Sequence, residues 1–162
     1  MNDLVALLQE FYRDKLTELL RHQAGARLLR PYDLNNAYQY FVNRDEVHLS
    51  WVGTAIADLD ASAPQGVSAP QIVASGKDSD VWRSIVEQDA RAAQAFVDRW
   101  RPRVESMSNA RHRGMLRVIL GEALEQKRSF EQALAGELDL LGTRTAGVGA
   151  RVGTVLPDRW IE

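Results

Sequence analysis

The sequence predicts an all-α protein, a four-helix bundle with one long crossover between helices 2 and 3 and an irregular C-terminal tail. Apolar residues recur at three- and four-residue steps in four stretches, each on the order of 25–30 residues long, as in helices that bury one face. The connections between these stretches are short, long and short in that order. No stretch alternates apolar and polar residues convincingly enough to predict a strand.

The first two helices are predicted to form a hairpin. The first covers residues 3–29 and ends before Pro31, because the residue that precedes a proline avoids the helical conformation. The second starts near Asp33, a good N-cap residue, and runs to about Leu59. The apolar stripe of the second helix consists of Leu34, Ala37, Phe41, Val52, Ala55 and Leu59.

Residues 60–79 are rich in Ala, Ser, Pro and Gly and form the longest irregular stretch inside the predicted fold. A connection of this length can cross the whole bundle, so the third helix can run parallel to the second. Neither half of the chain could bury its apolar stripe alone, which predicts a single bundle over residues 1–141.

The third and fourth helices form the second predicted hairpin. The third runs from about Ser79 to about Met107, and Pro102 either kinks its last turn or marks its end. Ser108 is the predicted N-cap of the fourth helix, which continues through Leu141 and stops at Gly142. Residues 142–162 are predicted to be an irregular tail whose apolar end packs on the bundle.

Composition narrows the class of protein. The 162 residues carry a net charge of −2 with a pI near 5.9, which argues against a dedicated nucleic-acid binder. There is no cysteine, and neither a signal peptide nor a membrane span is recognisable, so we expect a cytoplasmic protein without membrane contact. The arginines at 99–117 predict a solvated helix face or a salt-bridged surface between subunits of a homo-oligomer.

Asp45 and His48 occupy the gap in the apolar stripe of the second helix. At about 100° per residue, both continue the inward-facing stripe, while Glu46 points away from it. Asp89 lies in the same way on the stripe of the third helix. A lone buried carboxylate is costly, so each of these acids needs a cation, a hydrogen-bond donor or a metal as its partner.

The predicted topology brings further polar residues to the same height. In a helical hairpin, residues equally far from the turn lie at the same height on the two helices. In the first hairpin, Asp45 therefore lies beside Glu18, and His48 beside Lys15. In the second hairpin, the same rule places Asp89 opposite residues 122–126, which include Glu122 and Gln126. An acid and an imidazole three residues apart share one helix face, and carboxylate and imidazole ligands suit iron or manganese.

These residues resemble the pattern of the ferritin-like superfamily, in which helices 1 and 3 supply a Glu and helices 2 and 4 an E-x-x-H. The resemblance covers roughly residues 3–141 and implies a di-iron or manganese carboxylate centre that activates oxygen or peroxide. The implied metal ligands are Glu18, Asp45, His48, Asp89 and Glu122. The chain departs from the pattern in having E-A-L-E at residues 122–125, where the second E-x-x-H is expected.

Two alternatives stay open at this point. In the first, the bundle binds no metal, a Lys15–Asp45–His48–Asp89 network fixes the helix register, and the protein acts by oligomerising or by binding a partner. In the second, residues 110–120, ARHRGMLRVIL, resemble the last helix of the DinB-like metal-binding bundles. That resemblance implies a single metal held around His48 and His112, and it matches the family at His112 only.

Overall fold

A computed structural model describes residues 2–77 and 79–142, and it confirms the predicted all-α four-helix bundle. The helices are α1 (Asn2–Ala26), α2 (Tyr32–Ala57), α3 (Val81–Glu105) and α4 (Ala110–Leu134). The described residues contain no β-strand. None of their helices is both long and apolar enough to cross a membrane.

The helices pack as two hairpins, α1 with α2 and α3 with α4, laid side by side so that α1 contacts α3 and α2 contacts α4. The pair α1 and α3 is antiparallel, because Glu10 bonds Arg103 near one end while Gly25 packs on Ile85 near the other. Since α1 and α2 also form a hairpin, α2 and α3 run parallel. The long connection therefore crosses the bundle, as predicted.

The ends of α4 differ from the prediction. Asn109 rather than Ser108 is the N-cap, and its side chain accepts a hydrogen bond of 3.0 Å from the backbone N–H of His112. The helix ends at Leu134 instead of Leu141, because Gly136 takes a left-handed conformation with φ of 103°. The predicted stop at Gly142 was therefore wrong by two turns.

Pro102 neither breaks nor ends α3, which continues for three more residues to Glu105. The predicted tail, residues 142–162, lies outside the described residues except for its first member. The prediction that the tail packs on the bundle is therefore not addressed by the structure.

A small apolar cluster of Leu19, Val42 and Leu49 lies between α1 and α2, and the rest of the core consists of two larger apolar clusters with a polar layer between them. One cluster surrounds Phe11, Trp100 and Ile119, and the other surrounds Tyr38 and Phe130. Seven buried polar or charged residues accompany these clusters: Lys15, His22, Asp45, His48, Asp89, His112 and Gln126. All but His112, which lies at the start of α4, belong to the polar layer, and they come from all four helices.

Candidate functional site: a buried polar layer

Asp45 is the centre of the polar layer. The Lys15 ammonium donates a hydrogen bond of 2.6 Å to Asp45 Oδ1, and Gln126 Nε2 donates one of 3.0 Å to the same oxygen. His22 Nδ1 lies 2.6 Å from the other oxygen, Oδ2. Asp45 and its two basic partners are at most 1% exposed. Both carboxylate oxygens of Asp45 are therefore held by side chains of the bundle itself.

Lys15 and His22 reach Asp45 because of their spacing on α1. Together with Leu8 they form a seven-residue repeat, and Leu8, Lys15 and His22 are all buried on the inward face of the helix. His22 is not among the residues identified from the sequence. The three- and four-residue steps that predicted the inward position of Asp45 would have found His22 as well.

The electrostatics of this group favour an ion-paired state. Burial opposes ionisation of Asp45, but the charges of Lys15 and His22 together lower its pKa well below the usual range. Burial also opposes protonation of His22, yet the Asp45 charge and hydrogen bond outweigh it and raise the pKa of the imidazole. The result is a buried carboxylate with two basic partners.

Asp89 belongs to a second group in the same layer. The hydroxyl of Tyr38 donates a short hydrogen bond to Asp89 Oδ2. Burial raises the pKa of Asp89, and burial together with the Asp89 charge raises the pKa of Tyr38 well above its usual value. Glu18 is largely buried nearby, where burial raises its pKa, and its closest basic partner is Arg21 at 3.9 Å.

His48 and Glu122 form a third group, on the side of the layer where α2 contacts α4. His48 Nε2 lies 2.9 Å from Glu122 Oε2, and Arg44 donates to both carboxylate oxygens of Glu122 at 2.9 and 2.6 Å. Burial, reinforced by the Lys15 charge, lowers the pKa of His48. We therefore assign a neutral imidazole whose Nε2–H donates to Glu122.

The five predicted metal ligands thus reach the middle of the bundle but do not converge on one point. Asp45, His48 and Asp89 are buried, as predicted, while Glu18 and Glu122 lie on the flanks. The hairpin placed Glu18 beside Asp45, whereas the metal-free alternative named Lys15. The observed partners are Lys15 and His22, one helical turn to either side of Glu18. Tyr38 and Arg44, which complete the other two groups, were not identified from the sequence.

These side chains do not fit a carboxylate-bridged iron or manganese pair as they are arranged. Asp45, the central acid, already accepts three hydrogen bonds, one of them from an ammonium. Glu122 is engaged by Arg44 and His48. Within residues 2–77 and 79–142, no group of three His, Asp or Glu side chains has an arrangement that could hold a metal ion.

His112 lies apart from the polar layer. It is ten residues from Glu122 on α4, which is about 15 Å along the helix axis. His48 contacts Glu122, whereas His112 lines a surface cleft with Trp51 and Asp58. The structure therefore does not bring together the two histidines of the single-metal alternative.

The fold and the layer define this chain as a crossover four-helix bundle with an ion-paired polar centre. No family model matches the chain, and no curated protein and no solved structure is significantly similar to it.

Two of the three buried histidines, His22 and His112, predict opposite pH effects. The pKa of His22 is raised, so its stabilising interaction is complete below the unfolded value of about 6.5 and is lost as pH rises through the folded pKa. The pKa of His112 is lowered by burial, so His112 costs stability as pH falls below about 6.5. We expect His22→Gln to destabilise the protein more at acidic than at alkaline pH.

His112→Gln is the matched control for this measurement. Its destabilisation relative to wild type should shrink at acidic pH, where the neutral Gln avoids the cost of protonating a buried ring. Urea unfolding of both variants across the range from pH 5 to pH 9 measures the two trends. Parallel trends for the two variants would contradict the assignment of His22 as the partner of the Asp45 carboxylate.

Proposed function

We propose that this chain is a metal-independent, ferritin-like bundle that acts by binding a macromolecular partner through the surface where α2 meets α4. The observation that carries the proposal is the ion pair at the centre of the bundle, in which Lys15 Nζ lies 2.6 Å from Asp45 Oδ1 with both side chains buried. In this reading the polar layer fixes the register of the helices, and the residues that bind the partner lie on the surface where α2 meets α4.

The ion pair supports the metal-independent reading through simple electrostatics. A metal bound at Asp45 would meet the fixed positive charge of Lys15 at the same carboxylate, in a medium of low dielectric constant that strengthens like-charge repulsion. Lys15 also cannot swing into water, because it is 1% exposed and packs above the ring of Phe96. The ammonium therefore supplies the positive charge that Asp45 requires.

The surface between α2 and α4 supports the interaction role. It exposes Tyr40 and Trp51 from α2 and Val118 from α4. A cleft of about 280 Å³ lies beside Tyr40 and is lined by Arg44 and Glu122 among others. Exposed aromatic side chains together with Arg are typical of protein–protein interfaces. By contrast, the polar layer is closed to a substrate, because its central side chains are almost completely buried.

The competing proposal is the iron or manganese centre itself. It is favoured by His48 Nδ1, an imidazole nitrogen that is buried without a hydrogen-bond partner among the described residues. An imidazole nitrogen with an available lone pair is a common metal ligand.

The cytoplasmic location and the absence of nucleic-acid binding stay predictions from composition.

Metal analysis separates the two proposals. For the 162-residue chain purified without chelator, we expect iron, manganese and zinc far below one equivalent, with no change in His48→Ala or His112→Ala. Stoichiometric metal that is lost in His48→Ala but retained in His112→Ala would contradict the metal-independent reading and support the carboxylate centre. Equal loss of metal in both variants would support the single-metal, DinB-like alternative.

A further inference from the structure

The surface between α2 and α4 carries a regular pattern of charge on both helices. On each helix a basic, an apolar and an acidic residue follow one another at seven-residue spacing, so that they lie on one face. We call this surface the α2–α4 face. Its two triplets are Arg44, Trp51 and the C-cap residue Asp58 on α2, and Arg111, Val118 and Glu125 on α4.

The charges at the two ends of the α4 triplet are weakly engaged. Arg111 is 82% exposed and lies 3.7 Å from Asp58, while Glu125 is 65% exposed and lies 3.5 Å from Arg128. Exposed pairs of this kind contribute little to stability, so both charges can take new partners at little cost. Between them, Val118 is half exposed and has no polar group of its own to satisfy.

On the opposite side of the bundle, an exposed group of charges is paired across two helices of the same molecule. There, between α1 and α3, Arg99 and Arg103 both bond Glu10 at 2.6–2.7 Å, and Arg99 also lies 3.0 Å from Asp14. These pairs join the two helices of one molecule. The charges of that side are therefore used within the chain, whereas the ends of the α4 triplet are available to another molecule.

We propose that the partner of the α2–α4 face is a second copy of this chain, bound antiparallel about a two-fold axis that passes Val118. This inference rests on the proposed function and names the partner of the same surface. Arg111 and Glu125 lie seven residues, about 10 Å, on either side of Val118. Antiparallel pairing of the two α4 helices thus sets Arg111 of each copy against Glu125 of the other.

The α2 triplet has the same order, basic, apolar and acidic from N- to C-terminus, but its Arg44 is already bonded to both carboxylate oxygens of Glu122. An antiparallel α2 pair therefore brings Asp58 of one copy near the Arg44–Glu122 pair of the other, and the free charges of the interface come from the α4 triplet. Trp51 of each copy then lies beside the axis, where its ring covers apolar surface of the partner. In a two-fold dimer the interface is formed by the same surface patch of both copies.

A charge-swap experiment tests the arrangement on the 162-residue chain. Light scattering after size-exclusion chromatography and sedimentation equilibrium give the dimer dissociation constant of wild type, Arg111→Glu, Glu125→Arg and the double variant. We expect each single variant to weaken the dimer roughly tenfold or more, because like charges then face each other twice. The double variant, which exchanges the two signs, should restore the dimer to near wild-type affinity.

Glu87→Arg is the matched control, since Glu87 is exposed on α3 away from this face. It should leave the dissociation constant unchanged, and circular dichroism should show that all variants keep the wild-type helix content. The proposal is overturned by a wild-type chain that stays monomeric at high concentration, by single variants that dimerise normally, or by a double variant that stays monomeric. None of these outcomes changes the result expected from the metal analysis, which tests the metal-independent bundle separately.

Discussion

Lys15→Met should destabilise the protein by about 3–5 kcal/mol, the range observed when one partner of a buried ion pair is removed. The methionine fills nearly the same space as the lysine stem but leaves the Asp45 carboxylate with only His22 and Gln126 as hydrogen-bond partners. For a chain of this size, such a loss corresponds to a fall in melting temperature of roughly 10 °C. Urea unfolding at pH 7 followed by circular dichroism measures the effect.

Lys127→Met is the control for this substitution. Lys127 forms an ion pair with Glu131 four residues away on the surface of α4, so its removal should change stability by no more than about 0.5 kcal/mol. Adding Asp45→Asn to Lys15→Met should recover part of the loss, because the neutral amide needs no counter-charge. A Lys15→Met variant as stable as wild type would show that Lys15 is not the counter-ion of Asp45.

Phe130→Ala is expected to have an effect of similar size, about 3–5 kcal/mol, for a different reason. The ring of Phe130 is completely buried, with centroids 5.7 Å from His22, 5.5 Å from Tyr38 and 5.3 Å from Phe41. Its removal leaves a cavity directly beside the imidazole that bonds Asp45. The variant loses both the packing of the aromatic cluster and the exclusion of water from the polar layer.

Phe130→Leu separates these two contributions. Leucine fills much of the space, so we expect it to be clearly more stable than Phe130→Ala. The NMR titration of His22 should also stay closer to wild type in Phe130→Leu, because the imidazole keeps its apolar neighbour. An alanine variant with unchanged stability and an unchanged His22 titration would contradict the packing of Phe130 on the layer.

The inward position of Asp45, His48 and Asp89 could be predicted from the sequence because helix geometry is local. A residue on a stripe with 3.6 residues per turn faces the core whatever its chemistry, and all three side chains are indeed buried. The same rule applied to α1 would also have identified His22, whereas Lys15 was already expected beside His48. The length of the connection at residues 60–79 likewise predicted the crossover, since only a long segment can span a bundle.

The pairing of these groups could not be predicted in the same way. Asp45 and Glu18 lie at the height that the hairpin implies, but rotation of α1 about its axis turns Glu18 to the flank and aims Lys15 and His22 at the carboxylate. Arg44 was not identified from the sequence, although its ion pair with Glu122 holds that carboxylate apart from the other acids. The end of α4 was predicted two turns too late because Gly136 and Gly142 both take positive φ, and the helix ends before the first of these two glycines.

The sequence alone determined the helices, their connectivity and the residues that face inward, because these follow from periodicity and chain length, which each segment carries by itself. Only the tertiary structure decided that the inward acids bond Lys15, His22, Tyr38 and Arg44 instead of meeting one another. The reason is that side-chain pairing depends on helix rotation and on distances of a few ångströms between segments. Those quantities are set jointly by the packing of all four helices.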